Sequence, residues 1–169
     1  MKKLRFGIIG CSGIAESSTI PSIINSKYTD LEFIGSRTEK KSKEFANKFK
    51  CKKFGSYEDV LENDNVDAVY ISVPVGLHEK WSVQAAKKGK HVLCEKSSTT
   101  SFSSAKKMVF EAKKNNIRLM EAFMFRFHPQ HTKVKELIKK NILGEIYSFS
   151  GFYGFLPIPR TNIRFNKKL

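Results

Sequence analysis

The chain alternates short apolar runs with longer stretches in which apolar residues recur at helical spacing. The helical pattern is clearest where Ser42, Phe45, Ala46 and Phe49 fall at i, i+3, i+4 and i+7. The apolar runs have the length and composition of strands buried on both faces; they are Leu4–Ile9, Leu31–Gly35, Ala68–Val73, His91–Cys94 and Ile117–Met120. Strands alternating with helices predict a doubly wound α/β domain with a parallel sheet.

Local signals mark where several helices begin and end. Pro21 lies inside the segment after the first strand, so a helix there should kink or restart. Ser56 to Asp59 reads as a capping box, and Ser101 is suited to cap a later helix. Gly89 follows the helix predicted for Trp81–Lys88 and ends it, because glycine readily adopts positive φ.

The alternation of short strand patterns with helical patterns ends after residue 122. A helix marked by Val134, Leu137 and Ile138 is predicted to stop at Gly144, and Glu145–Phe155 alternates aromatic and small residues as a long strand does. We therefore expect two domains. Residues 1–122 form the α/β domain, and residues 123–169 are the incomplete start of an α+β domain.

The charge balance is strongly basic. The 169 residues include 31 Lys and Arg against 16 Asp and Glu, a net charge of +15. Such a field attracts polyanions, but no nucleic-acid-binding motif accompanies it, and lysines spread over solvated helix faces are the favoured interpretation. We expect no nucleic-acid partner. Arg37 to Lys53 stands out, with eight basic residues against Glu39 and Glu44.

The sequence contains no strong signal for a disulfide framework, a metal site or a membrane span. Cys11, Cys51 and Cys94 form no Cys-x-x-Cys pair, which argues against a disulfide framework or a metal site and fits a reducing cytoplasm. Ala68–Leu77 is the longest nearly apolar run, and with Pro74 inside it is too short for a membrane span. We expect a cytoplasmic protein without a membrane partner or a metal.

The first candidate site follows the first predicted strand. In doubly wound domains, ligands bind outside the carboxyl ends of the strands. A tight turn at Gly10 allows the next helix to point its free N–H groups at a pyrophosphate. Ser12 occupies the position of the middle glycine of the glycine-rich fingerprint. Gly13 beside it can supply the space and backbone freedom that this glycine would give. The alternative is a purely structural glycine turn.

The second candidate site follows the second predicted strand. An acidic residue at that position would hold the ribose 2′-hydroxyl of NAD, but Ser36 and Arg37 occupy it, with Lys41 close behind. Arg37 is suited to pair with a 2′-phosphate, which favours NADP and makes NAD the less favoured cofactor. A surface arginine at a helix start is the alternative.

Five segments resemble, in order and spacing, the glucose–fructose oxidoreductase / inositol dehydrogenase (Gfo/Idh/MocA) family. They are Gly7–Ala15, Ser36–Arg37, Tyr70–His78, Gly89–Lys96 and Glu121–Pro129. The resemblance implies a Rossmann domain, a second domain with an open sheet for substrate and subunit contacts, and NAD(P)-dependent hydride transfer on sugars. It is greatest to reductases of nucleotide-linked 3-ketosugars, followed by dihydrodiol and xylose dehydrogenases. A sugar or sugar-nucleotide substrate and a homo-oligomer are therefore expected.

The resemblance also assigns roles to residues. The cofactor would be held by Gly10, Cys11, Ser12, Gly13, Ile14, Ser36, Arg37, Lys41, Val73, Pro74, Leu77, His78, Glu95, Lys96 and Arg126. Lys96 would also be catalytic, because an ammonium near a carbonyl oxygen stabilises its developing charge and delivers a proton. Two positions depart from the family pattern. Ser97 replaces the usual proline, and Val75 replaces the usual asparagine.

The length of the chain, compared with that of the family, leaves a second function possible. Family members run to about twice this length, as expected of two full domains. Their second catalytic group lies on a segment that would come after Leu169. The chain alone is therefore expected to bind cofactor without turnover, and a catalytically inactive dinucleotide-binding or scaffolding remnant is the alternative to an oxidoreductase.

Overall fold

The structure, a computed structural model, describes residues 2–154 and contains one six-stranded sheet. All strand pairs in the sheet are parallel, and the strand order is β3-β2-β1-β4-β5-β6. The strands are β1 (Leu4–Ile9), β2 (Thr29–Gly35), β3 (Phe54–Gly55), β4 (Ala68–Ile71), β5 (His91–Cys94) and β6 (Leu119–Glu121). This order is that of a Rossmann fold, in which the strand order reverses between β1 and β4.

Helices connect the strands, as parallel neighbours require. They are α1 (Ile20–Asn25), α2 (Glu39–Phe49), α3 (Tyr57–Glu62), α4 (His78–Lys87), α5 (Phe102–Lys114) and, after the sheet, α6 (Pro129–Lys139). A π-helical turn, Ala15–Thr19, precedes α1, and 3₁₀ turns span Val75–Leu77 and Met124–Phe127. None of the described helices is long and apolar enough to cross a bilayer.

The register of the sheet places the carboxyl ends of the strands along one edge. Ile9 pairs with Gly35 on one side and with Ile71 on the other. Ile71 in turn pairs with Cys94, and Cys94 pairs with Glu121. The loops that follow β1, β2, β4 and β5 therefore all leave from this carboxyl edge.

Two hydrophobic clusters cover the two faces of the sheet. Ile8 and Tyr70 belong to one cluster, and Ile9 and Ile71 belong to the other, as successive side chains of a strand point to opposite faces. Gly7 permits close packing, because a Cβ there would collide with the side chain of Val60. The sheet is thus buried on both faces, as the continuous apolar runs predicted.

Most predicted elements are confirmed, with shifted ends. β1 and β5 have the predicted bounds, but β4 ends at Ile71 instead of Val73, and the last strand is Leu119–Glu121 instead of Ile117–Met120. The two-residue strand β3 was not predicted. The helix does restart at Pro21, which occupies the first turn of α1.

The predicted caps are also present. The Ser56 hydroxyl accepts from the Asp59 N–H, and the Asp59 carboxylate accepts from the Ser56 N–H, which completes the capping box. Ser101 caps α5 by accepting from the Ser104 N–H, and Gly89 follows α4 with a φ of +70°.

The chain divides into two compact units, Met1–Ala122 and Phe123–Leu169. In the described part of the second unit, α6 ends at Lys139, before the predicted stop at Gly144. The strand predicted for Glu145–Phe155 is wrong for residues 145–154, which are neither helix nor strand. A strand needs a partner for its backbone groups, and the described part of this unit contains none. Residue 155 onward lies outside the described residues.

Candidate cofactor and active site

The turn after β1 depends on Gly10. Its φ of +111° is a conformation that side chains other than glycine rarely adopt. A Cβ there would also lie 3.0 Å from the backbone of Ser72 and Val73. Gly10 therefore allows the chain to turn directly against the end of β4.

Four successive backbone N–H groups follow this turn. Those of Cys11, Ser12, Gly13 and Ile14 have no hydrogen-bond acceptor among the described residues. The Ser12 hydroxyl points back to the helix and accepts from the Ala15 N–H at 3.2 Å. An ideal Cβ on Gly13 would meet nothing within 4 Å, so the space beside the segment is open. Free N–H groups at a helix start with open space beside them fit a pyrophosphate.

Two thiols near the carboxyl edge are buried. Burial raises the pKa of Cys11 to about 11 and that of Cys94 to about 12. Cys11 contacts the Gly35 carbonyl oxygen at 3.7 Å. Both thiols are therefore protonated at neutral pH, which makes them unsuited to act as nucleophiles.

The loop after β2 carries the two residues expected near a 2′-phosphate. Ser36 is buried, and its N–H donates to the Gly55 carbonyl at 3.0 Å, which fixes the loop against β3. Arg37 is exposed and has no carboxylate partner in the described chain. Its guanidinium is therefore free to pair with an anion.

Lys41 is exposed and lies in the first turn of α2. Its ammonium lies 6.0 Å from the centroid of the Phe45 ring and makes no ion pair within the described residues. Two other lysines of the basic segment are neutralised, Lys48 by Glu16 at 2.6 Å and Lys53 by Glu32 at 2.6 Å. Lys41 thus keeps a charge that no carboxylate of the described residues pairs with.

The loop after β4 contains the residues expected along the nicotinamide ribose. Val73 is buried, while Pro74 and Leu77 are partly exposed. His78 is only 2% exposed, and its ring nitrogens face two backbone carbonyls, those of Val73 and Ser97. The His78 side chain thus joins two loops, and any direct contact between it and cofactor stays a prediction.

The loop after β5 begins with an ordered carboxylate. Glu95 Oε1 accepts from the hydroxyl of Tyr70 at 2.7 Å, and Glu95 Oε2 accepts from the Lys96 N–H at 3.2 Å. Burial, together with the Glu95 contact, raises the pKa of Tyr70, so the phenol is protonated and donates. Glu95 is therefore held by the core of the sheet.

Lys96 follows Glu95 and is exposed. Its ammonium pairs with no carboxylate of the described chain. The next residues are held from both sides, because Ser97 contributes its carbonyl to His78 and the Ser98 N–H donates to Glu121 Oε1 at 2.8 Å. The peptide bond between Lys96 and Ser97 is cis. A free ammonium on an anchored backbone is a suitable proton donor.

Arg126 and His128 belong to the second unit. Arg126 lies exposed in the 3₁₀ turn Met124–Phe127, and its assignment to the cofactor site stays a prediction. His128 Nδ1 accepts from the Gln130 N–H at 3.2 Å and caps α6. His128 thus makes a local contact.

Three further residues that sequence reasoning missed hold the site in shape. Tyr70 orders Glu95, Ser72 donates its hydroxyl to the Gly10 carbonyl at 2.8 Å, and Glu121 accepts from the Ser98 N–H. Each partner is at least 23 residues away in sequence. The only available signal was their position at the carboxyl ends of β4 and β6.

This edge gives the chain a dinucleotide-type turn, an anion-accepting loop and an exposed lysine on one side of a parallel sheet. A family model described as "Oxidoreductase family, NAD-binding Rossmann fold" matches residues 4–123. The chain belongs to the Gfo/Idh/MocA oxidoreductase family. The resemblance inferred from the sequence is confirmed.

Several relatives of the chain are named for reactions on sugars. A dTDP-3,4-didehydro-2,6-dideoxy-α-D-glucose 3-reductase of Saccharopolyspora spinosa is 33% identical over 99% of this chain and 51% of its own length. The D-xylose 1-dehydrogenase (NADP⁺) 2 of Haloferax volcanii is 38% identical over 98% of this chain and 51% of its own length. The chain spans about half the length of the curated relatives it matches.

A solved structure of the same family superposes closely. It is a variant of KijD10, a 3-ketoreductase from Actinomadura kijaniata, in complex with TDP-benzene and NADP. The TM-score is 0.90 at 36% identity, and the match covers 97% of this chain and 50% of that one. Because the relatives are named as reductases and dehydrogenases, the alternative of an inactive remnant has no support among them.

Proposed function

We propose that the protein is an NADP-dependent oxidoreductase that transfers hydride between the nicotinamide and a carbonyl or hydroxyl carbon of a sugar, with a nucleotide-linked sugar as the favoured substrate. The observation that carries the proposal is the shared carboxyl edge. The free N–H groups after β1, Arg37 after β2 and Lys96 after β5 all belong to loops that leave this edge.

The proposal assigns the cofactor's phosphates to two places. The pyrophosphate is bound by the backbone N–H groups between Cys11 and Ile14, aided by the positive end of the following helix. The 2′-phosphate pairs with Arg37 and accepts from the Ser36 hydroxyl, with Lys41 adding positive charge nearby. Ser36 and Arg37, and not an acid, directly follow β2, where an acid would hold a 2′-hydroxyl.

Bound NADPH supplies the hydride that reduces a carbonyl carbon. Lys96 donates a hydrogen bond to the carbonyl oxygen, stabilises the negative charge that builds there, and delivers the proton. Glu95, held by Tyr70, accepts from the Lys96 N–H and orders the backbone at the lysine. In the oxidative direction the same lysine accepts the proton of the hydroxyl group.

Sugar-nucleotide reduction is favoured over free-sugar oxidation because of the named relatives. Reductases of dTDP-linked ketosugars are similar over nearly the whole chain, and KijD10 was solved with a TDP ligand. Xylose dehydrogenase from Haloferax volcanii is similar over the same length. The nucleoside diphosphate of such a substrate adds binding energy away from the reacting carbon. Enzymes use binding energy of this kind to lower the activation barrier of the chemical step.

The test is an assay of the complete protein with two substrates. NADPH oxidation is followed with a dTDP-linked 3-ketosugar, and NADP⁺ reduction is followed with D-xylose. We expect the first reaction to have the higher kcat/KM. Turnover of xylose alone would move the substrate class to free sugars, and no turnover of either would contradict the proposed function.

A further inference from the structure

His78 is a buried polar side chain with two separate backbone contacts. It is the first residue of α4 and is 2% exposed. Nε2 lies 2.8 Å from the Val73 carbonyl oxygen, and Nδ1 lies 2.9 Å from the Ser97 carbonyl oxygen. A neutral imidazole donates to one of these carbonyls and an imidazolium donates to both, and in either state the ring spans the two loops.

The two loops joined by His78 differ in their place at the site. Val73 follows β4 and belongs to the loop assigned to the nicotinamide ribose, whereas Ser97 comes directly after Lys96. The Ser97 carbonyl is therefore one peptide unit from the residue assigned to proton transfer. On the other side, Glu121 holds the Ser98 N–H at 2.8 Å.

We propose that His78 is a positioning residue for Lys96, anchoring the backbone directly after the lysine, at Ser97, to the start of α4. This inference rests on the proposed function, in which Lys96 acts on the substrate oxygen. Proton donors work within about 0.5 Å of their productive position, so an unanchored loop lowers the rate without removing the lysine.

Two amide variants separate the two contacts. In His78→Asn the side-chain amide nitrogen can take the place of Nδ1 and keep the bond to Ser97, while the bond to Val73 is lost. In His78→Gln the amide nitrogen can take the place of Nε2 and keep the bond to Val73, while Ser97 is released. His78→Leu removes both contacts. The Asn and Gln variants are matched controls, because each keeps one hydrogen bond and one amide.

The first measurement is amide hydrogen exchange, read at Lys96 and Ser98 without cofactor. We expect exchange about fivefold faster in His78→Gln and His78→Leu, the effect of one lost hydrogen bond of about 1 kcal/mol, and near the original rate in His78→Asn. Equal acceleration in the Asn and Gln variants would overturn the proposal, because the ring would then only fill space under α4.

The second measurement is single-turnover hydride transfer in the complete protein. We expect the rate at saturating NADPH to fall further in His78→Gln, which releases Ser97, than in His78→Asn, which keeps that contact; a loss of NADPH affinity is expected in His78→Asn, because that variant releases the Val73 loop. Full rate in His78→Gln, with Lys96→Met slow, would overturn the positioning role. Full rate in Lys96→Met would instead contradict the proposed function, and the exchange result for His78 would stand separately.

Discussion

The Ser72 hydroxyl donates to the Gly10 carbonyl oxygen at 2.8 Å and joins the ends of β4 and β1. Both groups are buried, and they lie where the strand order of the sheet reverses. In doubly wound folds this reversal opens the crevice in which ligands bind. The bond thus links the turn assigned to the pyrophosphate with the strand that leads to the nicotinamide loop.

Two glycines of this turn should respond differently to alanine. Gly10→Ala places a Cβ at a φ of +111° and 3.0 Å from the backbone of Ser72 and Val73, and should lower the free energy of unfolding by about 1–3 kcal/mol. Gly13→Ala meets nothing within 4 Å and should leave stability nearly unchanged. Urea unfolding of both variants measures the difference.

The same pair tests the pyrophosphate assignment. The open space at Gly13 is where the cofactor is expected to pass, so Gly13→Ala should weaken NADPH binding although the fold is intact. Unchanged NADPH affinity in Gly13→Ala would place the pyrophosphate elsewhere.

Lys96 should affect chemistry more than binding. Lys96→Met keeps an unbranched apolar stem and removes the charge, so single-turnover oxidation of NADPH in the complete protein should slow by about 10² or more while cofactor affinity is retained. Lys87→Met is the matched control, since Lys87 is also exposed but lies at the far end of α4. An equal rate in both variants would reduce Lys96 to a surface residue.

Arg5 and Asp67 should make stability depend on acid pH. The Arg5 guanidinium donates to both oxygens of Asp67, at 2.7 and 2.8 Å, and holds the pKa of that carboxyl well below its usual value. A carboxyl with a lowered folded-state pKa contributes stability above its unfolded pKa of about 3.9, and this contribution is lost as pH falls toward the folded value.

The Asp67→Asn variant measures this contribution. Its free energy of unfolding should be lower than that of the unmodified protein by about 1 kcal/mol or more at pH 7, and the difference should shrink as the pH falls below about 4. A difference that stays constant between pH 7 and pH 2 would show that the Asp67 charge contributes nothing.

Features that depend on contacts between residues close in sequence could be predicted. Ser56 with Asp59 and Ser101 with Ser104 are contacts within four residues, so their caps can be read from the sequence. β1 was predicted with its observed bounds because its apolar run ends at a glycine. The candidates at Gly10 and at Ser36 and Arg37 were predicted from their place after strands, and the parallel register places the loops that carry them at one edge. Most of the remaining candidate cofactor residues were predicted from the family resemblance.

Features that depend on contacts between residues distant in sequence could not be predicted from the sequence. β3 contains only two residues and exists because Phe54 and Gly55 pair with Ile34 and Gly35 of β2. The Ser97 partner of His78 lies 19 residues away and is a backbone atom, which carries no sequence signal. The strand predicted after Gly144 from the alternation of aromatic residues was wrong for residues 145–154. Alternation indicates which side chains would share one face of a strand, but it does not provide the neighbouring strand that its backbone groups need.

Cofactor titration tests the central claim most directly. Calorimetry with NADPH and NADH should show NADPH bound at least tenfold more tightly, a difference of about 1.4 kcal/mol, because Arg37 and Ser36 meet a 2′-phosphate that NADH lacks. Ser36→Asp combined with Arg37→Ala should reverse the preference. Equal affinities for the two cofactors in the unmodified protein, or no binding of either, would contradict the account.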